Sequence, residues 1–199
     1  MLDVQENISP VEQQSATAEP KLKVMIAAGG TGGHVYPAIA IADALREESP
    51  AVEIHFVGTK DHMEWQAVPK AGYDISGIWI SGFHRRFTLK NLVFPFKLIT
   101  SLVQSRKIIN QFKPNAVVSC GGYAAGPVGW TAAKKGIPLV IQEQNSFPGI
   151  TNRMLGKYAD LIFTAFREAE KYFPSGRTEM AGNPTRKSLT EVDQQQAYD

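Results

Sequence analysis

The chain has 199 residues, of which 43% are hydrophobic and 20% charged, as expected for one soluble domain with tails and a core large enough to stand without covalent staples. A lone cysteine, Cys120, excludes an intramolecular disulfide framework, and no apolar run reaches the roughly 18 residues of a bilayer span. The start, MLDVQENISP, has neither the basic nor the apolar region of a secretory signal, so the expected setting is the cytosol or the cytosolic face of a membrane.

The net charge of +2 is less informative than its distribution. Between Asp74 and Glu143 there is no acidic residue, while Arg85, Arg86, Lys90, Lys97, Arg106, Lys107, Lys113, Lys134 and Lys135 fall inside that stretch. A block this one-sided points to an anionic partner. No RNA- or DNA-binding motif accompanies it, so nucleic acid is not expected.

In chain order, the polar residues 1–20 read as a disordered tail. The apolar run 22–28, ending in glycines, reads as a buried strand of a parallel sheet. A helix is expected over 37–48, with Pro37 in its first turn, then a strand over 52–58 and another over 73–80. The stretch 89–112 reads as a long helix or two, interrupted near Pro95. Further strands are expected at 116–119, 138–142, 160–164 and 178–181, with helices at 127–135 and 150–158. Strands alternating with helices predict an α/β fold: a Rossmann-like open parallel sheet with helices on both faces.

One unit occurs twice. An apolar strand runs into a Gly-Gly turn, and a helix with an early proline follows: GGTGGHVYP from Gly29 and CGGYAAGP from Cys120. Both turns should lie at the carboxyl edge of the sheet, where open α/β sheets bind ligands. Glycines there allow close approach of the backbone, and the helix N-terminus offers free N–H groups to a phosphate. His34 follows Gly33 where a P-loop needs Lys, and Val35 stands at the third glycine of a dinucleotide fingerprint. Paired, the two loops suggest backbone cradles facing one ligand such as a pyrophosphate.

His34 at a helix N-terminus suits a neutral imidazole, which could act as a general base or hydrogen-bond a phosphate. Glu143, at the end of an apolar strand, is placed for ligand contact, for orienting His34, or for capping the next helix. Asn145 and Asn152 could bind sugar hydroxyls or make turns. No metal-ligand spacing joins the histidines, and no DxD motif is present, so neither a metal nor another cofactor is expected.

GGTGGHVYPAIAIADAL from Gly29 closely resembles the opening motif of the MurG family, and CGGYAAGP, QEQNSFPGITN and GNPTR follow in the family's order, over residues 22 to 189. The resemblance implies the N-terminal half of a two-domain GT-B glycosyltransferase, with an acceptor-binding domain over 21–189, the start of an interdomain linker at 190–199, and the donor domain absent. It implies transfer of GlcNAc from UDP-GlcNAc to undecaprenyl-pyrophosphoryl-MurNAc-pentapeptide with inversion, at the cytoplasmic face of the bacterial inner membrane, by a peripheral protein inactive without its second half. It places Thr31, Gly32, Gly33, Asn145 and Arg186 at the donor. Gly29, Gly30, Gly121, Gly122, Tyr123 and Asn152 go to the acceptor and its diphosphate, with His34 and Glu143 as the catalytic pair. One departure is Gln142, where the family often has histidine, so that histidine is not needed for any chemistry done here.

A lipid-linked acceptor requires a membrane-facing surface. The basic, aromatic-rich stretch supplies Arg85, Arg86, Phe87, Lys90, Phe94, Phe96 and Lys97, joined by Trp130, as candidates for an anionic bilayer. Two alternatives remain: a GT-B enzyme with a soluble acceptor, and a non-catalytic module that binds anionic lipid.

Overall fold

The computed structural model describes residues 21–60, 62–82 and 90–185, with side chains from 93 onward in the last stretch. Seven strands form one sheet, all parallel, in the order β3-β2-β1-β4-β5-β6-β7. They are β1 (Lys23–Ala27), β2 (Glu53–Gly58), β3 (Asp74–Gly77), β4 (Ala116–Ser119), β5 (Leu139–Glu143), β6 (Leu161–Thr164) and β7 (Thr178–Met180). The helices are α1 (Gly32–Glu48), α2 (Glu64–Lys70), α3 (Lys90–Phe112), α4 (Ala125–Lys134), α5 (Ile150–Leu155) and α6 (Arg167–Glu170).

Strand pleating divides the core in two. Val24 and Ile26 of β1, with Ala28 just beyond it, point into a cluster with Val35, Ala38, Ile39 and Ala42 of α1 and Val68 of α2. Met25 and Ala27 point the opposite way, into a cluster with Ile109 of α3, Val128 and Ala132 of α4, and Leu155 of α5. Strands so covered on both faces must be apolar almost throughout, which is how β1 reads.

The largest departures from the sequence reading lie where glycine or proline marks an element. Helix α1 starts at Gly32, five residues before the expected 37, so Pro37 sits in its second turn. Glycine is a poor helix former, but tertiary packing carries the helix into the motif. Helix α3 runs through Pro95 without interruption. Proline six residues from the start forfeits only the bond to the Asn91 carbonyl, and the helix survives that single loss. Strand β3 is shorter than the expected 73–80, although Ile78 and Ile80 beyond it are buried. Helices α2 and α6, of 7 and 4 residues, are too short to show a period and were not foreseen.

Candidate functional site

β1 and β4 are neighbours, and the chain leaves them in opposite directions across the sheet. Such a switch point opens a crevice at the carboxyl ends of the strands, and both glycine motifs emerge there. The Cys120 amide donates to the Ala27 carbonyl at 2.9 Å, so pairing continues to the start of the second loop. Beyond it, Gly122 has φ +86° and lies so close that a Cβ would run into the Gly29 backbone. Glycine at this position permits one loop to pack on the other, backbone against backbone. Gly121, with φ +92°, lies against the His34 ring, where a Cβ would meet Cδ2 at 2.9 Å.

His34 is the third residue of α1. Its Nδ1 is 3.2 Å from the Gly29 carbonyl oxygen and 3.2 Å from Thr31 Oγ1. A carbonyl oxygen only accepts, so in a neutral ring the bond to Gly29 requires the proton on Nδ1, with Thr31 Oγ1 accepting beside it, and leaves the Nε2 lone pair free. Nε2 faces Gly121 in a small cleft of about 150 Å³, whose wall includes Tyr123, Glu143, Gly149 and Asn152.

The two buried polar residues of that wall are committed to scaffolding. Glu143 Oε1 accepts from the Asn145 amide and Asn145 Nδ2, both at 2.9 Å. Its Oε2 accepts from the Gly149 amide at 3.2 Å and from Asn152 Nδ2 at 3.0 Å. This carboxylate fixes the turn after β5 and the start of α5, where Gly149 is the N-cap residue. None of these bonds reaches His34, and none goes to a free first-turn amide of α5, which has no side-chain cap; the carboxylate instead braces the turn while lining the cleft. Asn152 also donates to the Gln142 carbonyl and accepts from Ser119 Oγ, each at 3.3 Å. It stitches β4, β5 and α5 together, and its Nδ2 is already engaged.

The first loop divides its amides. Gly32 and Gly33 are the first two residues of α1, where N–H groups have no intrahelical acceptor. The Gly30 amide instead donates to Glu64 Oε2 at 3.1 Å, which corrects the expectation that it faces a diphosphate. Glu64 is 1% exposed and also takes the Thr59 amide at 2.9 Å and the Thr59 hydroxyl at 2.5 Å. Sequence reasoning passed over Glu64 because its helix is short and an acid in a first turn is commonplace.

Thr31 and Asn145 are exposed beside the cleft, and Tyr123 is exposed with its ring near that of His62. Arg186 lies outside the described residues. Cys120, fully buried beneath the second loop, has its thiol pushed up to about 12 because burial disfavours the thiolate. Burial likewise lowers the pKa of His55, which pairs with Ser76 Oγ away from the cleft. Among the described residues no group of three or more His, Cys, Asp or Glu side chains could hold a metal.

A second surface lies on α3. Phe96, Ile99 and Val103 are 68%, 62% and 65% exposed, and their spacing puts them on one helix face. Arg106 and Lys107 follow, also exposed. Lys97 donates to Ser81 Oγ at 2.9 Å and lies over the exposed Trp79 ring. Trp130 is exposed on α4, with Lys134 over its ring. Phe94 is corrected: it is half-buried against the core and does not face outward. Arg85, Arg86 and Phe87 lie outside the described residues, as does the side chain of Lys90. No described helix is long and apolar enough to cross a membrane.

The model of the glycosyltransferase family 28 N-terminal domain matches residues 24–164, which hold the whole crevice. The chain belongs to glycosyltransferase family 28. Within this family it is 54% identical over 173 residues to a Christiangramia forsetii protein, covering 87% of this chain and 47% of that one. It is 45% identical over 177 residues to an Alkaliphilus metalliredigens protein, covering 88% and 48%. Both relatives are UDP-N-acetylglucosamine–N-acetylmuramyl-(pentapeptide) pyrophosphoryl-undecaprenol N-acetylglucosamine transferases. The fold matches the crystal structure of Acinetobacter baumannii MurG with TM-score 0.71 and 33% identity, covering 84% of this chain and 47% of the other. The chain therefore spans about half the length of the family 28 relatives it matches. A UDP-GlcNAc 2-epimerase from Neisseria meningitidis matches with TM-score 0.62 at 13% identity, covering 85% of this chain and 49% of that one, a likeness of fold alone.

Proposed function

We propose that this chain is the acceptor-side half of a GT-B glycosyltransferase that moves GlcNAc from UDP-GlcNAc to the 4-hydroxyl of lipid-linked MurNAc-pentapeptide, forming lipid II. The observation that carries the reading is His34, whose Nδ1 is held by the Gly29 carbonyl so that Nε2 faces the cleft between the two glycine loops. In the proposed step Nε2 takes the proton from the acceptor hydroxyl as its oxygen attacks the anomeric carbon. The bond from that carbon to the UDP oxygen breaks, UDP leaves with the electron pair, and configuration inverts.

The amides of Gly32 and Gly33, at the positive end of α1, suit a diphosphate. Thr31 and Asn145 stand beside them as donor contacts, and Arg186 completes the donor set in this reading. Gly121, Gly122 and Tyr123 form the acceptor side. Glu143 and Asn152 support it by holding the turn after β5. Residues 21–189 constitute the acceptor domain, and 190–199 begin the linker to a donor domain. The stripe Phe96, Ile99 and Val103, flanked by Lys97, Arg106 and Lys107, rests on the anionic cytoplasmic surface of the inner membrane, where the lipid-linked acceptor is found. Trp130 extends this surface.

Two measurements test the reading. Isolated chain in detergent should bind lipid-linked MurNAc-pentapeptide much more tightly than UDP-GlcNAc; the reverse order would reassign the two sites. With a donor half supplied after residue 189, His34→Ala should cut transfer by about 10²–10⁴-fold, the range of general base catalysis. Unchanged turnover would remove His34 from the chemistry.

A further inference from the structure

Glu64 bears on His34 through a single peptide group. The Gly29–Gly30 peptide is trans, like every described peptide bond, so its C=O and N–H point in opposite directions. On one side Gly30 N–H donates to Glu64 Oε2 at 3.1 Å. On the other, the Gly29 oxygen lies 3.2 Å from His34 Nδ1. Both flanking residues are glycines, and Gly30 sits at φ +90° with nothing within 4 Å of its Cβ position. Neither flanking residue has a Cβ to restrict rotation of this peptide, so its orientation depends on what it bonds and packs against, Gly122 among them. Left to itself it could turn its N–H toward His34, which would place the ring proton on Nε2.

The surroundings are shaped to hold Glu64 in place. A Cβ at Gly29 would come within 2.5 Å of Glu64 Oε1, and one at Gly58 within 2.6 Å of Glu64 Cγ. Thr59 occupies Oε1 with two bonds, leaving Oε2 for Gly30. Among the described residues no lysine or arginine forms an ion pair with this buried carboxylate. Its described bonds come from neutral donors, and the Gly30 amide is one of three.

We propose that Glu64 is a positioning residue that sets the His34 tautomer: its carboxylate fixes the Gly29–Gly30 peptide, whose carbonyl then holds the proton on Nδ1 and keeps Nε2 unprotonated toward the cleft. The proposal rests on the reading of His34 as the base, but its test does not depend on turnover. The neutral side chain of Gln has one acceptor oxygen where the carboxylate has two, so Glu64→Gln cannot satisfy both Thr59 and Gly30.

The experiment is NMR on the labelled 199-residue chain, with the four histidines assigned by substitution. In the wild type, the His34 ring-nitrogen shifts should report the Nδ1–H tautomer in about tenfold excess or more, as a hydrogen bond to a buried carbonyl favours. A scalar coupling should cross from the Gly30 amide nitrogen to the Glu64 carboxyl carbon. Glu64→Gln should bring the two tautomers toward parity. Thr59→Val, which removes one bond to Glu64 without touching the peptide, should lower the melting temperature and leave the tautomer unchanged.

An Nε2–H tautomer in the wild type, no coupling, or an Nδ1–H tautomer that survives Glu64→Gln would each overturn the proposal. If Glu64→Gln does not fold, the wild-type coupling and tautomer decide together. Loss of transfer in His34→Ala with a Glu64-independent tautomer would sink the relay and spare the base. Intact transfer with the relay present would do the opposite.

Discussion

Gly122→Ala tests the contact on which the crevice is built. The residue has φ +86°, and side chains tolerate left-handed backbone at a cost of about 1–2 kcal/mol. The new methyl would also enter the Gly29 backbone. A flexible side chain could swing aside, but moving the Gly29 backbone would break the bonds its peptide makes to His34 and Glu64. Overpacking of this kind costs about 1–3 kcal/mol, for a total of about 2–5 kcal/mol. Domains of this size lose about 2–4 °C of melting temperature per kcal/mol, so the expected drop is on the order of 10 °C by circular dichroism. Gly136→Ala is the control. Gly136 has φ +68° with nothing within 4 Å of its Cβ position, so only the conformational cost of about 1–2 kcal/mol applies. Equal melting temperatures for the two variants would show that the loops do not touch as described, and the argument from Gly122 would fail.

Three further outcomes are expected. Glu143→Ala strands the donors of Asn145, Gly149 and Asn152; at about 1–3 kcal/mol for a buried donor left unpaired, its denaturant midpoint should fall well below that of the wild type, and an unchanged midpoint would deny the scaffolding role. Cys120 should resist alkylation in the native chain and react once unfolded. Its thiol is raised from 9.0 to about 12 in the fold, so the stability it contributes is present below about pH 9 and is lost as pH rises toward 12; rapid native labelling at pH 8 would contradict this. Replacing Phe96 and Ile99 together with Asn should weaken co-sedimentation with anionic vesicles and leave the fold intact, and the wild-type binding should fall with added salt; undiminished sedimentation would move the membrane surface elsewhere.

Much of the architecture was legible because it depends on local pattern. The apolar run of β1, the Gly-Gly turns and the alternation of strands with helices suffice for a parallel sheet with ligands at its carboxyl edge. The ordered motifs from Gly29 to Arg186 carried the family. Helix boundaries were less legible: Gly32, Gly33 and Pro95 have low helical propensity, yet packing on the sheet overrides it in α1 and α3.

The sequence by itself determined that two glycine loops would meet at one edge, with a histidine in the first and a carboxylate near the second. What each group does there was decided by tertiary structure. Glu143 was open in the sequence to ligand contact, to orienting His34 or to capping the next helix; it lines the cleft, and its carboxylate bonds the turn that follows it. Gly30 was expected to present its amide to a phosphate, and it presents it to Glu64. Phe94 and Phe96 look alike in sequence, but the rotation of α3 packs one, half-buried, against the core and exposes the other. Hydrogen bonds are directional and short, so their partners depend on where distant segments come to rest. Glu64 lies 34 residues from Gly30 along the chain, and only the folding of β1 against β2 brings the carboxylate beneath the loop.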